Sequence, residues 1–323
     1  MTIEPRAIEL EKPFSASREK FEALLTQLGG DHALASDHAA LERRLKTEGF
    51  EVLRQLLQDH LLLRSVREVA LPSVTGKDGI VRTWRRETDR PLETIFGPVT
   101  VYRLAYGAEG ISSLRPMEAE LNLPVETFSL GVRRHVAESV ADGAYEAAVA
   151  SVLANTAARI AKRQAELLAV RAAADFDAFY QQRTGTVHLG SPESILVITV
   201  DGKGVVMRPG GLREETRKAA EKKVPKLKHR HYDRYLAAGL PIASGAIEGA
   251  CRHLVMDRMD ITGARWGLPG AEAVLRLRAL RASGDFDEYW TFHEAQEAAR
   301  GHAALFAVPI MHTETAPARA LAS

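Results

Sequence analysis

The apolar positions of this chain fall into blocks with two different periods. In the first block Phe21, Leu24, Leu25 and Leu28 recur at helical spacing, followed by Leu41 and Leu45 and then by Val52, Leu53, Leu56, Leu57 and Leu61. Steps of three and four put such residues on one side of a helix, and Gly29-Gly30 and Gly49 punctuate the run. The pattern predicts a helical region over residues 1–70. The period then shortens. The segment Thr94-Ile95-Phe96-Gly97-Pro98-Val99-Thr100-Val101-Tyr102 reads as two short strands joined at Gly97-Pro98, within a β-hairpin region over residues 71–124. Just upstream, Arg82, Arg85, Arg86 and Arg90 surround Trp84. Arginines interleaved with an aromatic ring can grip a nucleic-acid backbone. A strand edge kept soluble by charge has the same composition, and that plainer reading takes precedence here.

Helical spacing returns from Thr127 to Tyr180. Phe128, Val132, Val136 and Val140 mark one helix, Tyr145, Ala148, Val149 and Val152 a second, and Ile160, Leu167 and Leu168 a third. Arg159, Lys162, Arg163 and Gln164 lie on the early turns of the third. Two helices followed by one with basic and amide side chains near its start is the layout of a helix-turn-helix reader, whose last helix enters the major groove. Any small three-helix bundle gives the same pattern, and Asn155-Thr156 stands where a glycine turn would be expected. Residues 125–187 are thus expected to form a helix-turn-helix-like DNA-binding region.

A continuous β-branched run, Ile195-Leu196-Val197-Ile198-Thr199-Val200, ends in Asp201-Gly202-Lys203-Gly204 and resumes as Val205-Val206-Met207. Asp-Gly and Gly supply the positive φ of tight turns, so residues 188–210 read as a hairpin. Asp201 then has two readings: a turn residue, or a carboxylate at the end of a strand buried on both faces. A basic, proline-broken linker spans 211–230, helices span 231–312, and 313–323 form a tail. Ser244-Gly245 opens one of these helices, Ile247, Cys251, Leu254 and Val255 form its apolar stripe, and Glu248 falls in its first turn. The helix dipole alone favours a first-turn Glu by roughly 0.3 kcal/mol or more, so Glu248 also has an ordinary local reading. A further helix runs from Ala271 to Arg281.

Composition changes this picture little. A chain of 323 residues accommodates two or three domains of roughly 150 residues. The net charge of +1 says nothing for or against nucleic acid, but its distribution is uneven. Nine Lys/Arg between Arg213 and Arg234 face four acids, and a second basic stretch runs from Arg252 through Arg258, Arg265, Arg276 and Arg278 to Arg281. Such stripes can neutralise phosphates while distant acids balance the total; a solvated linker and helix face give the same pattern. The lone Cys251 leaves no intramolecular disulfide. No apolar core follows a basic amino terminus, and no apolar run approaches the ~20 residues of a membrane span. A cytoplasmic protein with no membrane partner is expected. Phosphate-binding loops, the dinucleotide fingerprint, His-Glu-x-x-His and a nucleophile elbow are all missing from the sequence.

Three segments together carry a resemblance. Val200-Asp201-Gly202-Lys203-Gly204-Val205, then Pro241-Ile242-Ala243-Ser244-Gly245-Ala246-Ile247-Glu248-Gly249-Ala250-Cys251, then Asp257-Arg258-Met259 with Thr262-Gly263-Ala264-Arg265-Trp266, resemble the bacterial insertion-sequence transposases of the ISKra family. These are DDE enzymes with a ribonuclease-H-like core. The resemblance extends upstream to Ile95 through Val101 and to the helices near Ala161-Lys162-Arg163-Gln164. It implies that Asp201 is the first catalytic and metal-binding Asp and Glu248 the final Glu, which with a second Asp would hold Mg²⁺ for cleavage and transfer of double-stranded DNA at transposon ends. It also implies DNA contacts from Arg258, Arg265 and Trp266, the last as a stacking surface.

The departure from the family is equally specific. Glu248 follows Asp201 by 47 positions, and between them no strand pattern carries a second Asp; Asp233 lies in a helix start close before Pro241. The middle reads as deleted, with the junction between Glu221 and His229. The fold expected is therefore mixed α and β and predominantly helical, with an incomplete ribonuclease-H-like core between helical N-terminal and C-terminal parts. The function expected is that of an internally shortened DDE transposase, inactive for want of the second Asp; a non-catalytic DNA-binding remnant or inhibitor of transposition is the alternative. A homo-oligomer is left open.

Overall fold

The computed structural model describes residues 13–184, 251–260 and 265–307, together with 207–208, 214, 217–218 and 249. Those residues form a mixed α and β structure, mostly helical, with small antiparallel sheets. The chain divides into two units. The first comprises residues 1–133, 152–159 and 293–323, and the second 134–151 and 160–292.

The first unit begins with α1 (Ser15–Leu28), α2 (Asp31–Leu34) and the 30-residue α3 (His38–Arg67). Gly29 and Gly30 end α1 as expected, whereas Gly49, expected to punctuate the run, lies inside α3; Asp37 caps α3 by accepting a hydrogen bond from the Ala40 N–H at 2.7 Å. Asp59 on α3 accepts from both the Ser17 N–H and Oγ, which ties α1 to α3. Two short strands, β1 (Val74–Thr75) and β2 (Val81–Arg82), pair with each other. A second sheet has the order β3 (Trp84–Thr94), β4 (Gly97–Ala108), β5 (Ile111–Leu114), all antiparallel, and α4 (Pro116–Glu120) follows.

The hairpin differs in detail from its sequence reading. Its strands are 11 and 12 residues long, and the turn is Ile95-Phe96, with Thr94 opposite Gly97. Gly97 takes φ 109, and Thr94 Oγ1 donates to the Gly97 carbonyl at 2.7 Å to close the loop. Pro98 therefore stands inside β4. It is tolerated because its partner Glu93 turns its own N–H and C=O outward, to Thr127 and Ser129, so the position opposite Pro98 is a non-hydrogen-bonded pair. Further along, Gln58 of α3 satisfies both the N–H and the C=O of Thr100 on the open side of β4, at 2.8 and 3.0 Å. Two buried clusters lie in this unit, Leu61, Leu92, Val99, Val101 and Met117 in one and Val74, Tyr106 and Leu114 in the other. Buried charges beside the first are paired: Arg103 and Arg90 meet Glu118, and Arg90 also donates to the Pro124 and Glu126 carbonyls. Arg133, fully buried, pairs with Glu126 and Glu297 and donates to Nε2 of His293, which must then carry its proton on Nδ1.

The helices α5 (Leu130–Asp142), α6 (Tyr145–Asn155), α7 (Lys162–Ala172) and α8 (Phe176–Thr184) come next in the chain. A wide helical turn over Cys251–Met256 leads into the short α9 (Asp257–Met259), α10 (Leu268–Ser283) and α11 (Phe286–Arg300) follow, and a 3-10 turn over His302–Leu305 comes last among the described helices. In the second unit Val136 and Val140 are buried, as their four-residue spacing predicts. On α7 the buried positions are Ala165, Leu168, Ala169 and Ala172; three small side chains on one face let α7 lie close against α10. Phe179 meets Tyr289 edge-on at 5.5 Å, and Tyr289 Oη donates to the Ala172 carbonyl, locking α8 and the start of α11 onto the end of α7. No described helix is long and apolar enough to cross a membrane.

Candidate nucleic-acid interface

The exposed face of α7 follows from its buried one. With Ala165, Leu168, Ala169 and Ala172 turned inward, Arg163, Gln164, Leu167, Val170 and Arg171 turn to solvent at helical spacing. Leu167, read from the sequence as part of the apolar stripe, is 49% exposed. The stripe is built from Leu168, as expected, together with three alanines, which an apolar scan passes over.

The first turn of α7 is held locally. Ala161 is its N-cap, and Gln164 Oε1 accepts the Ala161 N–H at 3.1 Å, one arm of a capping box. Lys162 pairs with Glu146 in the first turn of α6, which lowers the Glu146 carboxyl below its usual range. Arg163 reaches only Glu166, at 3.2 Å, and is 76% exposed. Lys162, Arg163 and Gln164 thus come together, as expected, at the solvent-facing start of one helix. Arg159 belongs to the first unit; its side chain is exposed while its N–H donates to Glu93 Oε1 at 2.9 Å.

Arg258 and Trp266 come together elsewhere in the second unit, and inside it. They are 3% and 6% exposed. The Arg258 guanidinium lies 4.7 Å from the Trp266 ring centroid and 5.4 Å from that of Tyr145, while Trp266 Nε1 donates to the Met259 carbonyl. Burial pushes Arg258 down from the ordinary guanidinium value and the Tyr145 phenol up to about 12. Arg258 Nη2 and Tyr145 Oη are buried without hydrogen-bond partners. In this arrangement Arg258 and Trp266 fasten the unit and offer no open ring face for stacking. Arg265, beside them in sequence, is exposed.

Three more arginines of the second basic stretch are spoken for as well. Arg276 pairs with Asp177 at 2.7 Å, and Arg281 with Asp142 at 3.2 Å. Arg278 donates to the carbonyls of Ala141, His253 and Leu254, satisfying acceptors left over at helix ends. Arg278 and Arg281 line a cavity of about 320 Å³ with Asp142 and His253, but their donors are largely used by the protein itself.

Asp201 and Glu248 lie outside the described residues, as does most of the 211–230 linker, so the Mg²⁺ expected there has no described ligand. Among the described residues no group of three His, Cys, Asp or Glu side chains could hold a metal ion. The end of the Asp201 hairpin segment is described. Met207 forms a parallel bridge with Trp266, and the Arg208 N–H donates to the Trp266 carbonyl at 2.8 Å. Compared with protein-family models, with curated proteins and with solved structures, the chain finds no match.

Proposed function

We propose that this protein binds duplex DNA through the exposed face of α7, as the shortened product of a DDE-type insertion-sequence transposase that no longer cuts. The observation that carries the reading is the face itself: Arg163 and Gln164 at the start of a helix whose opposite side is packed on α10, continued by Leu167, Val170 and Arg171. Arginine and glutamine offer the donors that guanine and adenine edges accept, and aliphatic groups suit thymine methyls. A helix anchored along its whole inner side presents these groups rigidly. Arg265, also exposed in the second unit, adds a cation for phosphates.

Descent from a transposase rests on the resemblance of the Asp201, Glu248 and Trp266 segments to the ISKra family. The pairing of Met207 with Trp266 supports it, because it brings the residue two positions after the first of those segments onto the last. On this reading Asp201 begins the remainder of a ribonuclease-H-like core, and Asp201 and Glu248 are the two ends of a Mg²⁺ ligand set without its middle. Bound Mg²⁺ would activate water for in-line attack on phosphate; hard Mg²⁺ wants oxygen ligands from several rigid elements, and two carboxylates supply too few. A protein that binds ends without cutting would compete with an intact transposase for them.

The test uses duplexes tiling the DNA that flanks the gene. The expected result is binding in EDTA and no strand cleavage in Mg²⁺ beyond that of D201N. Cleavage that requires Mg²⁺ and disappears in D201N would overturn the loss of catalysis, and absence of binding would overturn the DNA reading.

A further inference from the structure

Trp84 is the anomaly of the first unit. It is 60% exposed, at the start of a strand, although burying a Trp is among the larger hydrophobic gains a fold can make. Its exposure has a structural cause. Trp84 pairs across the hairpin with Gly107 and Arg86 with Ala105, so neither has a large cross-strand neighbour to lie against. A Cβ at Gly107 would stand 3.2 Å from Ser113 Oγ, a tight contact from which Ser113 would have to shift slightly.

Its neighbours are cations. Arg85 and Arg86 are exposed, and among the described residues neither forms an ion pair or side-chain hydrogen bond. Trp84 likewise makes no ring contact there. Arg82, which the sequence groups with them, is buried and spent on Asp78 at 2.6 Å and on the Ser112 carbonyl. By the alternation of a strand, Trp84 and Arg86 share one face about 6.6 Å apart, with Arg85 on the other beside Glu87 and Asp89. We infer that this end of β3 is a single-stranded DNA contact: an unpaired base stacks on Trp84 while Arg86 and Arg85 take the flanking phosphates.

Two alternatives fit less well. Another strand adding to the β3 edge would have to accept Arg85, Arg86, Glu87 and Asp89 in a row, and charged edges of this kind resist such pairing. Intact duplex offers phosphates but no free base face, so it would leave the indole unused. The inference rests on the proposed function only for the class of ligand; it concerns a different surface, in the other unit.

The test follows tryptophan fluorescence of the full chain. Of its three tryptophans, Trp266 and Trp290 are buried, so a quencher in solution reports mainly on Trp84. An oligo-dT of about 12 nucleotides, within the usual site sizes, should quench that signal. Read by the anisotropy of a labelled oligo-dT, because the variants at position 84 lack the reporter, W84A should weaken binding about tenfold, with W84F retaining most of it, and R85A/R86A should flatten its salt dependence. Inorganic polyphosphate, which has no bases, should bind W84A and the parent equally. The proposal is overturned if W84A binds oligo-dT as the parent does, or if polyphosphate quenches as oligo-dT does. W84A should keep duplex binding, and R163A/Q164A should keep oligo-dT binding. Oligo-dT binding that depends on Arg163 and Gln164 but not on Trp84 would sink this inference and spare the proposed function. Oligo-dT binding that depends on Trp84, without any duplex binding, would do the reverse.

Discussion

Arg258 lies over both the Tyr145 and Trp266 rings and donates from Nε to the Val140 carbonyl, so one side chain joins three parts of the second unit. A buried guanidinium without a carboxylate is costly, and the two ring faces supply much of the attraction that offsets it. Trp266 matters doubly, as a ring for Arg258 and as the strand-like partner of Met207. W266A is expected to lower stability by about 3–5 kcal/mol, read as a fall in the denaturant midpoint. R163A, at an exposed position, should leave that midpoint unchanged. Equal midpoints for W266A and the parent would show that the ring is dispensable to the fold. The sequence could not separate these roles, because an arginine near a tryptophan has the same spelling in a DNA clamp and in a core. What decides is whether the ring face is covered, and that depends on Tyr145, more than a hundred positions away.

At the scale of elements, the helix over 130–142 was legible from buried valines at four-residue steps, and that over 145–155 from Tyr145, Ala148 and Val152, buried at steps of three and four. The buried side of α7 was not, because alanine counts weakly in any hydrophobic scale yet packs well where helices approach closely. The error moved Leu167 to the wrong side and hid the outer face of Leu167, Val170 and Arg171. The hairpin was found but its turn was misplaced by two residues: Gly-Pro is a strong turn signal, overridden here because Glu93 bonds outward and frees Pro98 from the ladder. The Glu146 partner of Lys162 was also missed, since it sits on the preceding helix. That pair makes a prediction of its own. Phosphate must compete with Glu146 for Lys162, so E146Q should tighten duplex binding several-fold and steepen the slope of log affinity against log salt by about 0.9. Unchanged affinity and slope in salt-dependent anisotropy titrations would show that Lys162 takes no part.

At the scale of the molecule, the period of apolar residues reports neighbours within one element and nothing about where the chain returns. Reading along the sequence therefore yields consecutive blocks, whereas the chain visits the first unit three times, the second visit being only residues 152–159. The mixed, mainly helical character was legible from the period alone. The candidate site was legible in part: Lys162, Arg163 and Gln164 stand exposed together, while Arg258 and Trp266 are enclosed. The central claim is that α7 reads duplex DNA without metal. It is tested most directly by titrating the flanking-DNA duplexes in EDTA with the parent chain and with R163A/Q164A, after matching their denaturant midpoints. The account predicts that the double variant binds at least tenfold more weakly, since each base-edge contact contributes about 1–3 kcal/mol, with loss of preference among the tiles. Equal affinity and equal preference in the two proteins would contradict it.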